Sequence, residues 1–278
     1  MSLQLDYTLR QGESMKKNQV IRTMLNHKSI RRFKPKSPTN GIIRTIVRAG
    51  QQAPFSSQVY SLLLSRNQKR NPFKAPLTFT ICIDFHKLQL IMKKRNWRLV
   101  SNDLFCLLMG IQDASLMAEN MVIAAESLGL GTCFLGNTPL RATEIAKEYK
   151  LPKRVFPLTQ VAMGYPAESP PTRPRYPLEF VLFENEYPKF NEKDIKKAMK
   201  RMDQGYLAQD YYRKSNYRVP LEKGRKEKFT FDNYSWTEHI SRKWGQWNPS
   251  PEKLLEQLSK CGFSIKKKCS GRLQPSSS

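Results

Sequence analysis

Between Ile111 and Asn137, IQDASLMAENMVIAAESLGLGTCFLGN, the apolar positions first keep a helical period and then abandon it. Ala114, Met117, Ala118, Met121, Val122, Ala125 and Leu128 share one helical face, and Met109 and Ala124 widen the stripe. The pattern predicts a long helix covered on most sides. Gly129 and Gly131 end it, because glycine takes up the left-handed backbone of a helix terminus at little cost. TCFL then predicts a short strand closed by Gly136, so the strand ends on a residue with no side chain. A flat ligand can come close to main chain at such an end.

The same reading extends along the chain. Val20, Ile21, Met24 and Leu25 predict a helix within residues 17–26, and Thr39 caps another carrying Ile42, Ile43, Ile46 and Val47 that ends near Gly50. VYSLLL (59–64), LTFTICID (77–84), the run from Phe156 to Met163 and EFVLF (179–183) predict strands. Residues 85–98, with Trp97, read as an irregular basic insertion on the surface. A helix is expected from Pro139 to Tyr149, with proline suited to its first turn. The prolines of residues 166–177 require an extended loop. A helix is expected from Asn191 to about Tyr212, then a basic loop to Lys228. Ser235 and Glu238 stand at capping-box spacing before a helix over 235–247, and a last helix covers Pro251 to Cys261. No internal repeat is present, which excludes a solenoid.

Charge changes the picture more than overall composition does. Lys and Arg number 48 against 23 Asp and Glu, a formal net charge of +25. Such a balance attracts phosphates, whether in nucleic acid, acidic lipid or a cofactor. No apolar run is long enough to span a bilayer, and the first residues lack the apolar centre of a signal peptide, so a cytoplasmic protein without a membrane partner is expected. Cys82, Cys106, Cys133, Cys261 and Cys269 are odd in number and form no CxxC pair, which predicts reduced thiols rather than zinc ligands or a disulfide framework.

Four basic clusters are candidates for anion binding: His27, Lys28, Ser29 and Arg31; Arg173 and Arg175 around Pro174; Arg213, Lys214 and Arg218; and Arg242. Arginine suits the task because its planar fork meets phosphate oxygens in pairs. HExxH, GxSxG, Walker and GxGxxG motifs are absent, and His27, His86 and His239 are far apart in sequence. No metal site is expected, and an enzyme built this way would take its hard chemistry from a cofactor.

The segments NHKSIRRF (26–33), QQAPFSSQVY, AAESLGLGTCFLGN, LPKRVFPLTQVAMGYPAESPPTRPRYPLEFVLFEN, YYRKSNYR and SWTEHISRKW together resemble the flavin-dependent nitroreductase family, from about Asn26 to Cys261. The likeness is strongest to its oxygen-insensitive NADPH nitroreductase and NADPH-preferring flavin reductase branch. The resemblance implies an α+β, nitroreductase-like fold: a central mixed, mostly antiparallel sheet flanked by helices, in an intertwined homodimer with FMN between the subunits. It implies that His27, Lys28, Ser29 and Arg31 hold the ribityl chain and phosphate from one side, with Arg173 and Arg175 on the other. Ser56, Ser57 and Gln58, with Tyr60 and Gln68, match the region that meets the flavin. Phe134, Leu135, Gly136 and Asn137 match the strand end beside the ring. Arg213, Arg218 and Arg242 fall where this branch holds the 2′-phosphate of NADPH.

On this basis residues 1–16 are expected to be an N-terminal extension and 17–190 the FMN-binding core. Residues 191–263 form a helical extension with the NADPH-binding loop in the same domain, and 264–278 a disordered basic tail. The implied activity is ping-pong transfer of reducing equivalents from NADPH through FMN to nitroaromatic, quinone or flavin acceptors, without an essential catalytic side chain. The alternatives are another flavoenzyme reaction on this fold, such as dehalogenation or flavin breakdown, or nucleic-acid binding through the basic surface.

Overall fold

The computed structural model describes residues 18–222, 224–246 and 250–265; the expected N-terminal extension, Cys269 and almost all of the expected tail lie outside them. Residues up to Ser169 and from Leu255 onward form one compact unit, and Pro170–Leu254 forms a second.

In the first unit, α1 (Gln19–Leu25) and α2 (Asn40–Gln51) precede a hairpin of β1 (Tyr60–Ser65) and β2 (Leu77–Asp84). Then come α3 (His86–Lys94), α4 (Asp103–Ser127), β3 (Gly131–Leu135), α5 (Ala142–Glu148) and β4 (Val155–Gly164). The sheet order is β1-β2-β4-β3, antiparallel at every pairing of these strands. Ser29 adds a parallel bridge to Thr132 on the β3 edge, so the sheet is mixed and mostly antiparallel, as expected. β2 is buried at all eight positions. Two of its polar residues are paired there, Thr80 accepting from Gln160 Nε2 at 2.9 Å and Asp84 from the Ser61 hydroxyl, while the buried Thr78 hydroxyl has no partner among the described residues.

The long helix α4 organises the unit. Asn102 caps it, accepting from Phe105 N at 2.8 Å. Met117, Ala118, Met121, Val122 and Ala125 pack with Ile43 and Ile46 of α2 and with Phe79 and Ile81 of β2. The helices approach closely at Gly50, where a Cβ would stand 2.5 Å from Met121 Cγ and 3.2 Å from the Met117 carbonyl. Leu128 caps the C-terminus and Gly129 follows at φ +78°, the conformation its sequence position predicts.

Several expectations need correction. α4 is not covered on most sides within one chain: Leu104, Phe105, Leu108, Ile111 and Leu116 are exposed. Residues 85–98 are not irregular, because α3 occupies most of them; the helix shows Leu90 and Ile91 to solvent, which masks its period in the sequence. The segment 179–183 is not a strand. Leu178–Phe180 is a single 3-10 turn, and Phe180 and Phe183 gather on Phe190 instead of joining a sheet. The capping box at Ser235 does not form, because Asp203 supplies the cap, accepting from Thr237 N at 2.9 Å and from the Ser235 hydroxyl through its backbone carbonyl.

The second unit holds α6 (Glu192–Leu207), α7 (Tyr211–Ser215) and α8 (Trp236–Gln246). The expected single helix from Asn191 breaks after Leu207, where Asp210 takes a left-handed backbone (φ +50°). Asn191 and Asp194 close a capping box at its start. Tyr206, Tyr212, Tyr234 and Trp236 pack ring against ring between these helices. The last helix, α9 (Pro251–Lys260), brings Leu258 and Cys261 beside Phe85, Phe156 and Phe263 in the first unit.

Candidate functional site

The basic segment at residues 27–32 lies along the free edge of β3. Ile30 N donates to the Thr132 carbonyl at 2.8 Å, beside the Ser29–Thr132 bridge. The approach needs Gly131, since a Cβ there would meet Ile30 Cγ1 at 2.6 Å. Two carboxylates fix the segment from either end. Glu126, in the last turn of α4, accepts from the Thr132 hydroxyl at 2.7 Å and pairs with His27 Nδ1 at 2.9 Å. Glu168 accepts from the backbone N–H groups of Arg31 and Arg32, at 2.5 and 3.0 Å, and from Arg32 Nε at 3.1 Å. Burial alone would raise the Glu168 pKa, but the donors of Arg31 and Arg32 together hold it below the ordinary carboxylate value.

With the backbone held this way, the side chains of Lys28 and Arg31 have no carboxylate partner among the described residues. Lys28 Nζ reaches Ser169 Oγ at 3.1 Å, and Arg31 lies beside the Cys133 thiol. Burial pushes that thiol's pKa up, with Arg31 opposing. Cys82, Cys106 and Cys261 are likewise buried and free.

The loop at residues 54–58 is exposed and hangs on one buried carboxylate. Asp113, in the middle of α4 and 1% exposed, accepts from Ser56 N at 2.6 Å, Ser57 N at 3.0 Å and Val59 N at 3.1 Å. Gln58 is held at φ +52°. Among the described residues no hydrogen bond uses the hydroxyls of Ser56 and Ser57 or the side-chain amide of Gln58. Tyr60 is different: it is buried in the core, where burial first and then Asp113 raise its phenol pKa. Gln68 donates through Nε2 to the Pro35 carbonyl at 3.0 Å.

The end of β3 is open. Phe134, Gly136 and Asn137 are exposed, and a Cβ at Gly136 would meet nothing within 4 Å. One helix and one strand edge therefore bring together His27, Lys28, Ser29, Arg31 and the strand end. Asp113, Glu126 and Glu168, which hold the backbone, were not singled out from the sequence. A signal for the first two exists: each is an acid within an otherwise apolar helical run, a position that needs a partner.

The other expected residues lie in the second unit. Arg173 donates to Gln209 Oε1 at 2.7 Å and covers the Tyr211 ring, 4.1 Å from its centroid. Arg175 folds back on the carbonyls of Arg173 and Pro174, at 3.1 and 3.2 Å. Arg213 pairs with Asp232, and Arg218 donates to the Phe229 carbonyl. Arg242 is buried, braced by Glu227 at 2.7 Å and Glu238 at 2.7 Å.

Residues 62–165 match the model of the nitroreductase family. The chain is 33% identical over 214 residues to the FMN reductase (NADPH) of Bacillus subtilis, covering 70% of this chain and 84% of that one. It is 28% identical to the oxygen-insensitive NADPH nitroreductase of Salmonella typhimurium, over 88% of this chain and 98% of the relative. The solved structure of B. megaterium NfrA1 superposes with a TM-score of 0.73 at 29% identity, over 88% of this chain and 99% of the other. With the family model matched and a third of the residues identical over most of a relative's length, the chain belongs to the nitroreductase family.

Proposed function

We propose that this protein is an FMN-dependent NAD(P)H oxidoreductase that passes reducing equivalents from NADPH to a nitroaromatic, quinone or free-flavin acceptor. The observation that carries the reading is the basic segment laid along β3 next to an open strand end. The residues fit the cofactor. Lys28 and Arg31 offer charge without a competing carboxylate, which suits a phosphate with close to two negative charges. His27 and Ser29 flank them, and Ser56, Ser57 and Gln58 offer uncommitted polar groups. The exposed strand end at Gly136, where a Cβ would meet nothing within 4 Å, leaves room for a planar ring. Bound there, FMN supplies the two-electron chemistry at its ring nitrogen. The protein binds and orients, and no side chain is assigned as an acid or base.

Arg173 and Arg175 remain candidates for the cofactor phosphate in this reading, as Tyr60 and Gln68 do for the flavin. The nucleotide docks on the segment that carries Arg213, Arg218 and Arg242. A second copy of the chain covers the exposed face of α4, where Leu104, Phe105, Leu108, Ile111 and Leu116 form an apolar stripe that water would otherwise wet. A cytoplasmic setting agrees with the four buried, unpaired thiols. No helix among the described residues is long and apolar enough to cross a membrane.

The visible spectrum of the purified protein is the test. Flavin absorbance that bleaches under NADPH without oxygen, and returns when a quinone or nitroaromatic is added, is the expected outcome. Colourless protein that cannot be reconstituted with FMN overturns the reading.

A further inference from the structure

From Phe85 to Asn102 the chain carries Lys87, Lys93, Lys94, Arg95 and Arg98 and not one acid. The carboxylates on either side of the segment are committed elsewhere. Asp84 accepts from the Ser61 hydroxyl and from Lys87 N at 3.1 Å, and lies 3.7 Å from Lys87 Nζ. Asp103 pairs with Arg154 and accepts from Ser264 N at 2.5 Å. Lys93, Lys94, Arg95 and Arg98 have no ion-pair partner among the described residues.

These cations surround an indole on a fixed turn. Trp97 is 71% exposed. Asn96 takes a left-handed backbone (φ +60°) at the end of α3, which lets Asn96 N donate to the Lys93 carbonyl at 3.1 Å and Trp97 N to the Met92 carbonyl at 2.9 Å. Leu88 before the turn and Leu99 after it pack against the cluster of Phe85, Phe156 and Phe263. The ring is therefore held in water by its own backbone, not left there by a loose loop. Trp97 and Leu99 wall a cleft of about 600 Å³ with Gln89, Lys93, Asn96 and Arg98. Among the described residues no hydrogen bond uses the side chains of Gln89, Lys93, Asn96, Trp97 or Arg98.

The cleft offers a ring to stack on, two amides and two cations. A nucleotide in an unpaired strand has a face, an edge and a phosphate to match them. Lys94 and Arg95 extend the positive charge beyond one phosphate. A second copy of the chain is a poor occupant, because it carries the same net charge of +25. A bilayer takes up protruding apolar surface and would leave the amides of a concave site unused.

We propose that this cleft binds single-stranded nucleic acid, with a base stacked on Trp97, Gln89 and Asn96 at its edge, and Lys93 and Arg98 on the flanking phosphates. The site stands beside the oxidoreductase reading and does not depend on it.

The test is fluorescence anisotropy of labelled oligothymidylate and oligouridylate, titrated with the full chain across a salt series. Wild type is expected to bind at least one of them, more weakly as salt rises. Trp97→Ala is expected to weaken binding about tenfold with the salt dependence unchanged, the scale of one lost base stack. Trp97→Phe keeps a ring and is expected to restore most of the loss. Lys93→Ala/Arg98→Ala is expected to flatten the slope of log affinity against log salt by about 1.4, at about 0.7 for each phosphate on a single strand. Lys193→Ala/Lys200→Ala, a control on exposed cations of α6, is expected to shift affinity less than about twofold. With a duplex probe, whose bases are already stacked and paired, the Trp97→Ala penalty is expected to vanish. No binding by wild type at low salt, equal binding by Trp97→Ala, or an equal penalty on duplex and single strand overturns the proposal. So does Trp97-dependent binding to phosphatidylglycerol vesicles with none to the oligomers, which makes the face a lipid contact. These readouts need neither flavin nor nicotinamide nucleotide, so failure of the oxidoreductase reading leaves them intact.

Discussion

Asp113 carries more of the site than any residue that would touch a ligand. A carboxylate at 1% exposure is tolerated because three backbone N–H groups satisfy it, and those three belong to the loop of Ser56–Val59. Asp113→Ala strands three donors at once. It is expected to lower stability by about 2–4 kcal/mol and to weaken FMN more than tenfold, read from thermal melts and flavin-fluorescence titration. Asp113→Asn keeps one acceptor oxygen and should fall between the two. Glu227 shows the opposite arrangement, an exposed carboxylate made acidic by its partners. Arg242 first, then the Phe229 N–H, pull its pKa down to about 2 from an ordinary 4.5. Because the folded value is the lower one, its contribution is complete above about pH 4.5 and is lost as pH falls through 2. Hydrogen exchange at the Phe229 amide, compared with core amides such as Ile81, is expected to stay slow at pH 4 and to quicken toward pH 2.

At the scale of elements, α4 shows what the sequence could disclose. The buried face, the glycine stop and the strand after it were legible, because period and backbone freedom are local properties. The same holds for β1, β2, β4 and the Thr39 cap. The exposed face of α4 was not, since Leu104, Phe105 and Leu108 are as apolar as the core and nothing local says which side meets protein. The supposed strand at 179–183 failed for a related reason: aromatic residues favour strands, yet here ring packing on Phe190 decides the backbone. The capping box at Ser235 lost to Asp203, a competitor far away in sequence. Among the site residues, the ones expected to touch ligand were visible as basic or small polar clusters, whereas the carboxylates that position them act through contacts between distant segments. The apolar stripe on α4 has its own test. Leu108→Glu is expected to convert a dimer into a monomer by light scattering, while circular dichroism stays near that of the parent.

For the whole molecule, a net charge of +25 means that cations outnumber the carboxylates available to pair with them. Lys28 and Arg31, which have no carboxylate partner among the described residues, lie where an anion is proposed to bind, so part of the excess has a use beyond solubility. α4 joins these matters. Along one rod, Asp113 holds the polar loop, Glu126 holds the segment at residues 27–32, and the exposed apolar stripe is where a second copy is proposed to sit. In that proposal assembly and prosthetic-group retention are one equilibrium. Specific activity should decline on extreme dilution as pairs separate and release their pigment, and it should recover on reconcentration with added FMN.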